Sequence, residues 1–301
     1  MNAPAFATLP RDALDGALHG ALPALHAVVD AARCPEAWNF VRRAGDAARC
    51  LFTGEAVATF ADAAPYLVAL DATRLDAWLA EAWGNAWGVL IHDAQPPAVL
   101  AEDLRRAFVA RLPDGRRVLF RHYDPRVLRG FGAHASVEAR WMFHRRIGRF
   151  VLESRAGEAL VLDRPSPQCV DGQRLEALDA AMRTHRAFPI ELEVAEAFRA
   201  EARRRFVERV LRVARGRHAA CASASEASLE GCVEALLPVL HDEGVRSERA
   251  VAAVALHMLT DGTEAFWSAW PSVRARLRGA LAGEVEAAAC AFEASREEEM
   301  S

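Results

Sequence analysis

The sequence predicts two lobes: an α/β N-terminal lobe over residues 1–165, with a mixed or mostly parallel sheet and flanking helices, and an all-α lobe over residues 166–301. Three observations predict it. Short apolar runs alternate with amphipathic segments from residue 20 to about 165, the pattern of repeated strand–helix–strand units. Beyond about 173 the apolar residues recur only at helical spacing. Between the two, residues 163–173, Asp-Arg-Pro-Ser-Pro-Gln-Cys-Val-Asp-Gly-Gln, have the prolines and glycine of a linker.

The elements follow in chain order. Leu25–Asp30 is a short apolar strand that ends in an acid, and Pro35–Ala44 is a helix carrying Trp38, Phe40 and Val41. Residues 49–52 form a short strand, 54–63 a helix and 66–70 a buried strand. Thr73 with Asp76 suits a capping pair for the helix of Leu75, Trp78 and Leu79. Residues 87–93 are a strand, and 97–109 a helix with Val99, Leu100, Leu104 and Phe108 on one face. Pro113-Asp-Gly115 is a turn. Residues 116–120 then read as a strand buried on both faces, through Val118, Leu119 and Phe120, running straight into a helix. Asp124 is placed to cap that helix and Pro125 suits its first position. Helices to about 131 and over 137–145 precede a hairpin of 149–154 and 159–163.

In the second lobe Leu229, Val233, Leu236, Leu237 and Leu240 make one stripe, and Val251, Val254, Ala255, Met258 and Leu259 another. Pro189, Gly216, Gly244 and Pro271 punctuate the helices, and the tail from Arg296 is expected to fray.

Composition bounds the function. The apolar fraction of 52% supports a full core, and the net charge of −4 argues against a general nucleic-acid binder, which relies on cationic contacts to phosphate. All 37 basic residues are arginine, which excludes a lysine nucleophile, a Schiff base or a Walker A loop. The six cysteines fit no zinc spacing and read as reduced thiols. No signal peptide or membrane span is evident, which predicts a cytoplasmic protein without membrane contact.

Within residues 120–126, Arg121 and Tyr123 share a strand face and either line a crevice at the strand end or form a buried tyrosine with a paired arginine. His122 and Arg126 complete the candidate contact residues there. His92, Asp93, His122 and Asp124, all at strand ends, offer an alternative acid–base or metal reading that would make the chain a small-molecule hydrolase or transferase. No H-E-x-x-H, G-x-S-x-G or G-x-G-x-x-G supports it. The stretch 199–217 carries eight arginines against Glu201 and Glu208, a solvated face or a surface for an acidic partner, with no interleaved aromatic set for nucleic acid. Phe266, Trp267 and Trp270 are either core or partner contacts.

Phe120-Arg-His-Tyr-Asp-Pro-Arg126 resembles the Phe-Arg-(aromatic)-Tyr-Asp-Pro-Arg signature of an adaptor family of bacterial type VI secretion. Leu25-His-Ala-Val-Val-Asp30-Ala-Ala-Arg33 is similar to the family's opening strand, and Ala64-Pro-Tyr-Leu-Val-Ala-Leu70 and Trp87-Gly-Val-Leu-Ile91 to later segments. Leu112-Pro-Asp-Gly115 precedes the signature in the family's order, and Gly244-Val-Arg-Ser-Glu-Arg-Ala250 resembles part of its helical lobe. His122 departs from the more usual aromatic. The resemblance implies an adaptor-chaperone, not an enzyme, with no cofactor and no metal. It implies a cytoplasmic protein that binds the N-terminal region of a toxic effector and loads it onto a VgrG-type spike protein, with a groove suited to an amphipathic client helix.

Overall fold

A computed structural model describes residues 6–279 apart from Pro23 and Arg155; the expectation for the tail from Arg296 lies outside the described residues, as does Cys290. The chain divides into two compact units, residues 1–198 and 199–301.

In chain order the first unit holds β1 (Ala7–Leu9), α1 (Arg11–His19), β2 (Leu25–Asp30), α2 (Pro35–Ala44), β3 (Ala48–Cys50), α3 (Glu55–Thr59), β4 (Pro65–Ala69) and α4 (Ala72–Ala77). Then come β5 (Gly88–His92), α5 (Pro97–Arg105), β6 (Val109–Arg111), β7 (Arg117–Leu119), α6 (Pro125–His134) and α7 (Val137–His144). β8 (Arg149–Glu153), β9 (Ala159–Leu162), α8 (Gly172–His185) and β10 (Phe188–Pro189) follow, and α9 (Leu192–Arg217) begins in this unit. The remaining helices are α10 (Ala219–Ser223), α11 (Glu226–Asp242), α12 (Glu248–Asp261) and α13 (Thr263–Gly279).

A seven-stranded sheet runs in the order β1-β9-β8-β5-β2-β4-β3 and a three-stranded sheet in the order β10-β6-β7. Every neighbouring pair of the large sheet is antiparallel, which overturns the mixed or mostly parallel sheet expected from the sequence. The cause is where β2 sits. β4 and β5 run the same way, as the helical crossover between them demands, but β2 lies between them and opposes both. Strand–helix alternation reports crossovers; it does not report which strand fills the gap between crossover partners.

The large sheet is covered on both faces. Val28, Leu67, Val89, Ile91, Phe150 and Leu152 point to one core with α5, α6 and α7, while Ala27, Val29, Val68, Leu90 and Val151 point to a second core with α1, α2 and α4. Period-two alternation sends neighbouring residues to opposite faces, so every residue of β2 is buried. α10–α13 and residues 199–217 of α9 form a separate helical core around Val233, Leu236, Val254 and Met258.

Several local expectations change. The strand at 116–120 is not buried on both faces: β7 is the outer strand of the small sheet, Leu119 is half exposed, and four residues separate β7 from the cap Asp124. α5 stops at Arg105, and 109–111 pairs as β6 instead of continuing the helix. The 54–63 helix is a short α3 followed by a 3₁₀ turn. α4 is capped by Asp71, whose carboxylate accepts from the Arg74 amide at 2.8 Å, and it widens into a π-helical segment over Trp78–Ala82. α13 continues through Pro271. The Pro-rich stretch at 163–173 does not coincide with the division at 198. α8 and β10 remain with the first unit because Phe188 and Ile190 enter its core, β10 pairs with β6, and Glu191 accepts from the Ser136 amide at 2.7 Å.

Candidate binding site at the end of the large sheet

β2 is apolar until Asp30, whose carboxylate is 2% exposed. Its position is fixed by backbone bonds: the Asp30 amide donates to the Trp87 carbonyl at 2.7 Å, and the Ala31 amide to the Ala64 carbonyl at 3.3 Å. Gly88 makes this approach possible, since a Cβ at 88 would overlap the Val28 carbonyl of β2. The Trp-Gly and Pro-aromatic segments singled out in the sequence are thus the two neighbours that hold Asp30.

The signature meets Asp30 from the other side. Arg121 donates to the Asp30 carboxylate through Nη2 and lies 5.7 Å from the Tyr123 ring centroid. Burial pushes the Asp30 carboxyl up from its ordinary range, with nearby Asp124 adding to the effect, and the Arg121 guanidinium only partly offsets it. Burial likewise pushes Tyr123 up to about 12. For Arg121 burial works toward deprotonation, but Asp30, Tyr123 and Asp124 together outweigh it and raise its pKa. Arg121 and Tyr123 do not share a strand face, since β7 ends at Leu119 and both lie in the turn before α6; the tyrosine is buried, and the side chain of the arginine beside it is about two-fifths exposed.

Asp124 caps α6 as expected, accepting from the Arg126 amide at 2.9 Å. Arg126 also turns back onto it, with Nε at 2.8 Å and Nη2 at 2.5 Å. Burial alone would raise Asp124; the Arg126 bonds and charge outweigh it and hold the carboxyl below its usual range. Pro125 occupies the first helical position.

His122 points the other way. It is fully buried, with Nε2 3.1 Å from the Leu104 carbonyl and Phe108, Phe120, Phe143 and Tyr123 around it, their ring centroids 5.2–5.9 Å away. Burial pushes its pKa down to about 4, so it is neutral and fills the aromatic position of the signature. Three of the four residues of the acid–base reading are engaged elsewhere, His122 with Leu104, Asp124 with Arg126, and Asp93 with the amides of Gln95 and Gly148 at 2.8 and 2.7 Å, while His92 is the last residue of β5. Among the described residues no group of three or more His, Cys, Asp or Glu side chains could hold a metal ion.

Beside Asp30, Arg33, Cys34, Glu36, Glu81, Asn85 and Trp87 line an open groove of about 650 Å³. Glu153, at the end of β8, accepts from the Gly84 amide behind it, and burial raises its carboxyl. Asp30 is the residue of this site that the sequence choice of contact residues omitted. Its signal was an acid closing an otherwise apolar strand.

In the second unit, Phe266 is buried, with Trp267 edge-on to it at 5.3 Å and Trp270 tilted against it at 5.6 Å between ring centroids, Trp270 against the helical core and Trp267 about one-third exposed. Along the arginine-rich stretch, Arg203 pairs with Glu234, Arg204 and Arg205 with Glu201, Arg209 with Glu248, and Arg215 with Glu226. The cationic row is therefore largely matched by carboxylates of its own unit. No described helix is long and apolar enough to cross a membrane, and none of the five described cysteines is bridged.

No curated protein and no solved structure matches the chain. Residues 25–140 match the family model of a domain of unknown function, DUF4123, a span that begins with the first residue of β2 and includes both Asp30 and the whole of 120–126.

Proposed function

We propose that this chain is an adaptor of bacterial type VI secretion that binds one toxic effector and hands it to a VgrG-type spike protein. The observation that carries the reading is that one family match spans both segments of the site. The DUF4123 match covers the opening strand and the signature, and these are the two segments that Asp30 and Arg121 tie together. The type VI link itself comes from the resemblance of 120–126 and its ordered neighbours to the adaptor signature. The site's chemistry agrees with a binding role: its ionisable groups are consumed in holding one another, and burial keeps His122 and Tyr123 in their neutral forms. On this reading the protein is not an enzyme, takes no cofactor, and works in the cytoplasm on proteins, not on nucleic acid or membrane. The net charge of −4 and the carboxylate-matched arginines of α9 fit that choice of partner.

The test is an affinity pull-down of the tagged full chain from cells shown to express a candidate effector and spike protein, with mass spectrometry of what co-purifies. Recovery of a large effector together with a spike protein is expected. Recovery of neither overturns the reading.

A further inference from the structure

Among the described residues β7 is an edge strand of the small sheet. The Phe120 amide donates to the Phe108 carbonyl at 2.8 Å and the Leu112 amide to the Arg116 carbonyl at 2.9 Å. In an antiparallel ladder this alternation makes Val109–Leu119 and Arg111–Arg117 the non-hydrogen-bonded pairs. Two consequences follow. The amides and carbonyls of Arg117 and Leu119 face away from β6, on the side where the sheet has no further strand among the described residues. The side chains of each of these pairs also stand side by side on the solvent face.

Those pairs are costly as they stand. Val109 is 38% and Leu119 50% exposed, an apolar pair in water. Arg111 and Arg117 are like charges directly opposite, an arrangement that destabilises a sheet. Neither has a carboxylate within ion-pair distance among the described residues, and Asp114 of the intervening turn is engaged with Arg116. An apolar pair next to an uncompensated cation pair, on an open edge, has the form of half an interface.

We propose that β7 is a strand-addition site for an extended segment of the client protein, in which an apolar and an acidic side chain two positions apart lie against Leu119 and Arg117. Main-chain bonds from Arg117 and Leu119 supply the affinity, and the alternate side chains supply the selectivity. This proposal rests on the adaptor reading for the identity of the partner, while the edge itself is testable without it.

Two variants of the full chain serve. Leu119→Pro removes an outward amide and no bond to β6, and Arg117→Glu reverses the charge of the pair; retention of the wild-type thermal transition checks folding. In the pull-down, a loss of client capture of about tenfold or more in both is expected, one decade being the effect of a single lost directional contact of about 1.4 kcal/mol. Wild-type capture by both folded variants overturns the edge and leaves the adaptor reading intact. Should wild-type protein capture no client, the adaptor reading falls and the edge is judged by peptide alone. The probe is the acetylated peptide Thr-Val-Thr-Glu-Thr-Val-Thr-Glu, compared with the same peptide carrying Arg for Glu, read by amide exchange at Arg117 and Leu119. Protection of both amides by the Glu peptide, at an affinity at least tenfold above the Arg peptide, supports the site. No protection, or equal binding of the two peptides, overturns it.

Discussion

Two stretches of this chain are dense in charge, and they do different things with it. Around the signature, Asp30 and Asp124 are buried, with both carboxylates at most 5% exposed, while their partners Arg121 and Arg126 reach them from partly exposed positions. Along α9 the arginines meet Glu226, Glu234 and Glu248 at the surface and Glu201 in a half-buried position; Arg209 and Glu248 are each more than half exposed. The chemistry of the pairs is the same; their surroundings are not. In the first case a missing partner leaves a charge stranded in a poor solvent, whereas in the second water takes its place. Charge density read along a sequence therefore misranks the two: the arginine-rich row is conspicuous and energetically light, while a single acid at the end of an apolar strand governs a site.

The sharpest way to break the signature cluster leaves all its charges in place. Gly88→Ala puts a Cβ into the Val28 carbonyl, a backbone atom that cannot step aside without moving β2. Because Asp30 is held by the Trp87 carbonyl next door, the shift displaces the carboxylate from Arg121. Loss of more than ~4 kcal/mol, or failure to fold, is expected, in the range of the severest core substitutions. A denaturation midpoint within experimental error of wild type would show that the β2–β5 contact is slack.

Asp30→Ala comes next. It removes one partner of a buried pair, for which ~3–5 kcal/mol is usual, but Arg121 is about two-fifths exposed and can turn to water, so about 2 kcal/mol is expected by urea denaturation. If Asp30→Ala costs no more than a surface substitution, the distinction between the two charged regions fails.

How much of this was legible depends on the range of the interaction involved. β2, α2, the hairpin of β8 and β9, and the Asp124-Pro125 start of α6 were readable because a cap, a proline or an apolar run settles each within a few residues. The antiparallel sheet was not, because the insertion of β2 between β4 and β5 depends on pairings more than thirty residues apart. β7 misled for a related reason: Val118-Leu119-Phe120 reads as a buried run, yet an outer strand of a small sheet buries only alternate residues. At the site, the strand-face spacing assigned to Arg121 and Tyr123 does not apply, because both lie past the end of β7, and His122, expected as a contact residue, lies inside an aromatic shell that only the tertiary fold assembles.

Acid should weaken the surroundings of the buried cluster. His122 and His144 are both pushed down to about 4 by burial, against 6.5 in the unfolded chain. For a base with a depressed folded pKa, the unfolded chain takes up the proton first. The stability is therefore complete above pH 6.5 and falls as the pH drops from 6.5 toward 4. For fully buried His122 alone the loss amounts to about 3 kcal/mol across that window. The raised carboxyl of Asp30 works in the opposite sense at its lower end. Urea midpoints measured from pH 7 to 4.5 should fall for wild type and fall less for His122→Phe; parallel curves would mean that His122 is solvated.

The smallest effect tests the other side of the comparison. Arg209→Ala in α9 removes the pair with Glu248, but both groups already face water and long side chains lose little by separating. A change of at most ~0.5 kcal/mol is expected, shrinking further in high salt as the charges are screened. The same logic predicts that Arg204→Ala is equally mild, although Glu201 then keeps Arg205. A loss comparable to that of Asp30→Ala would mean that α9's arginines form one cooperative network instead of separate surface pairs. The place to look would then be Glu201, the carboxylate that Arg204 and Arg205 share, since a network must pass through a group with two partners.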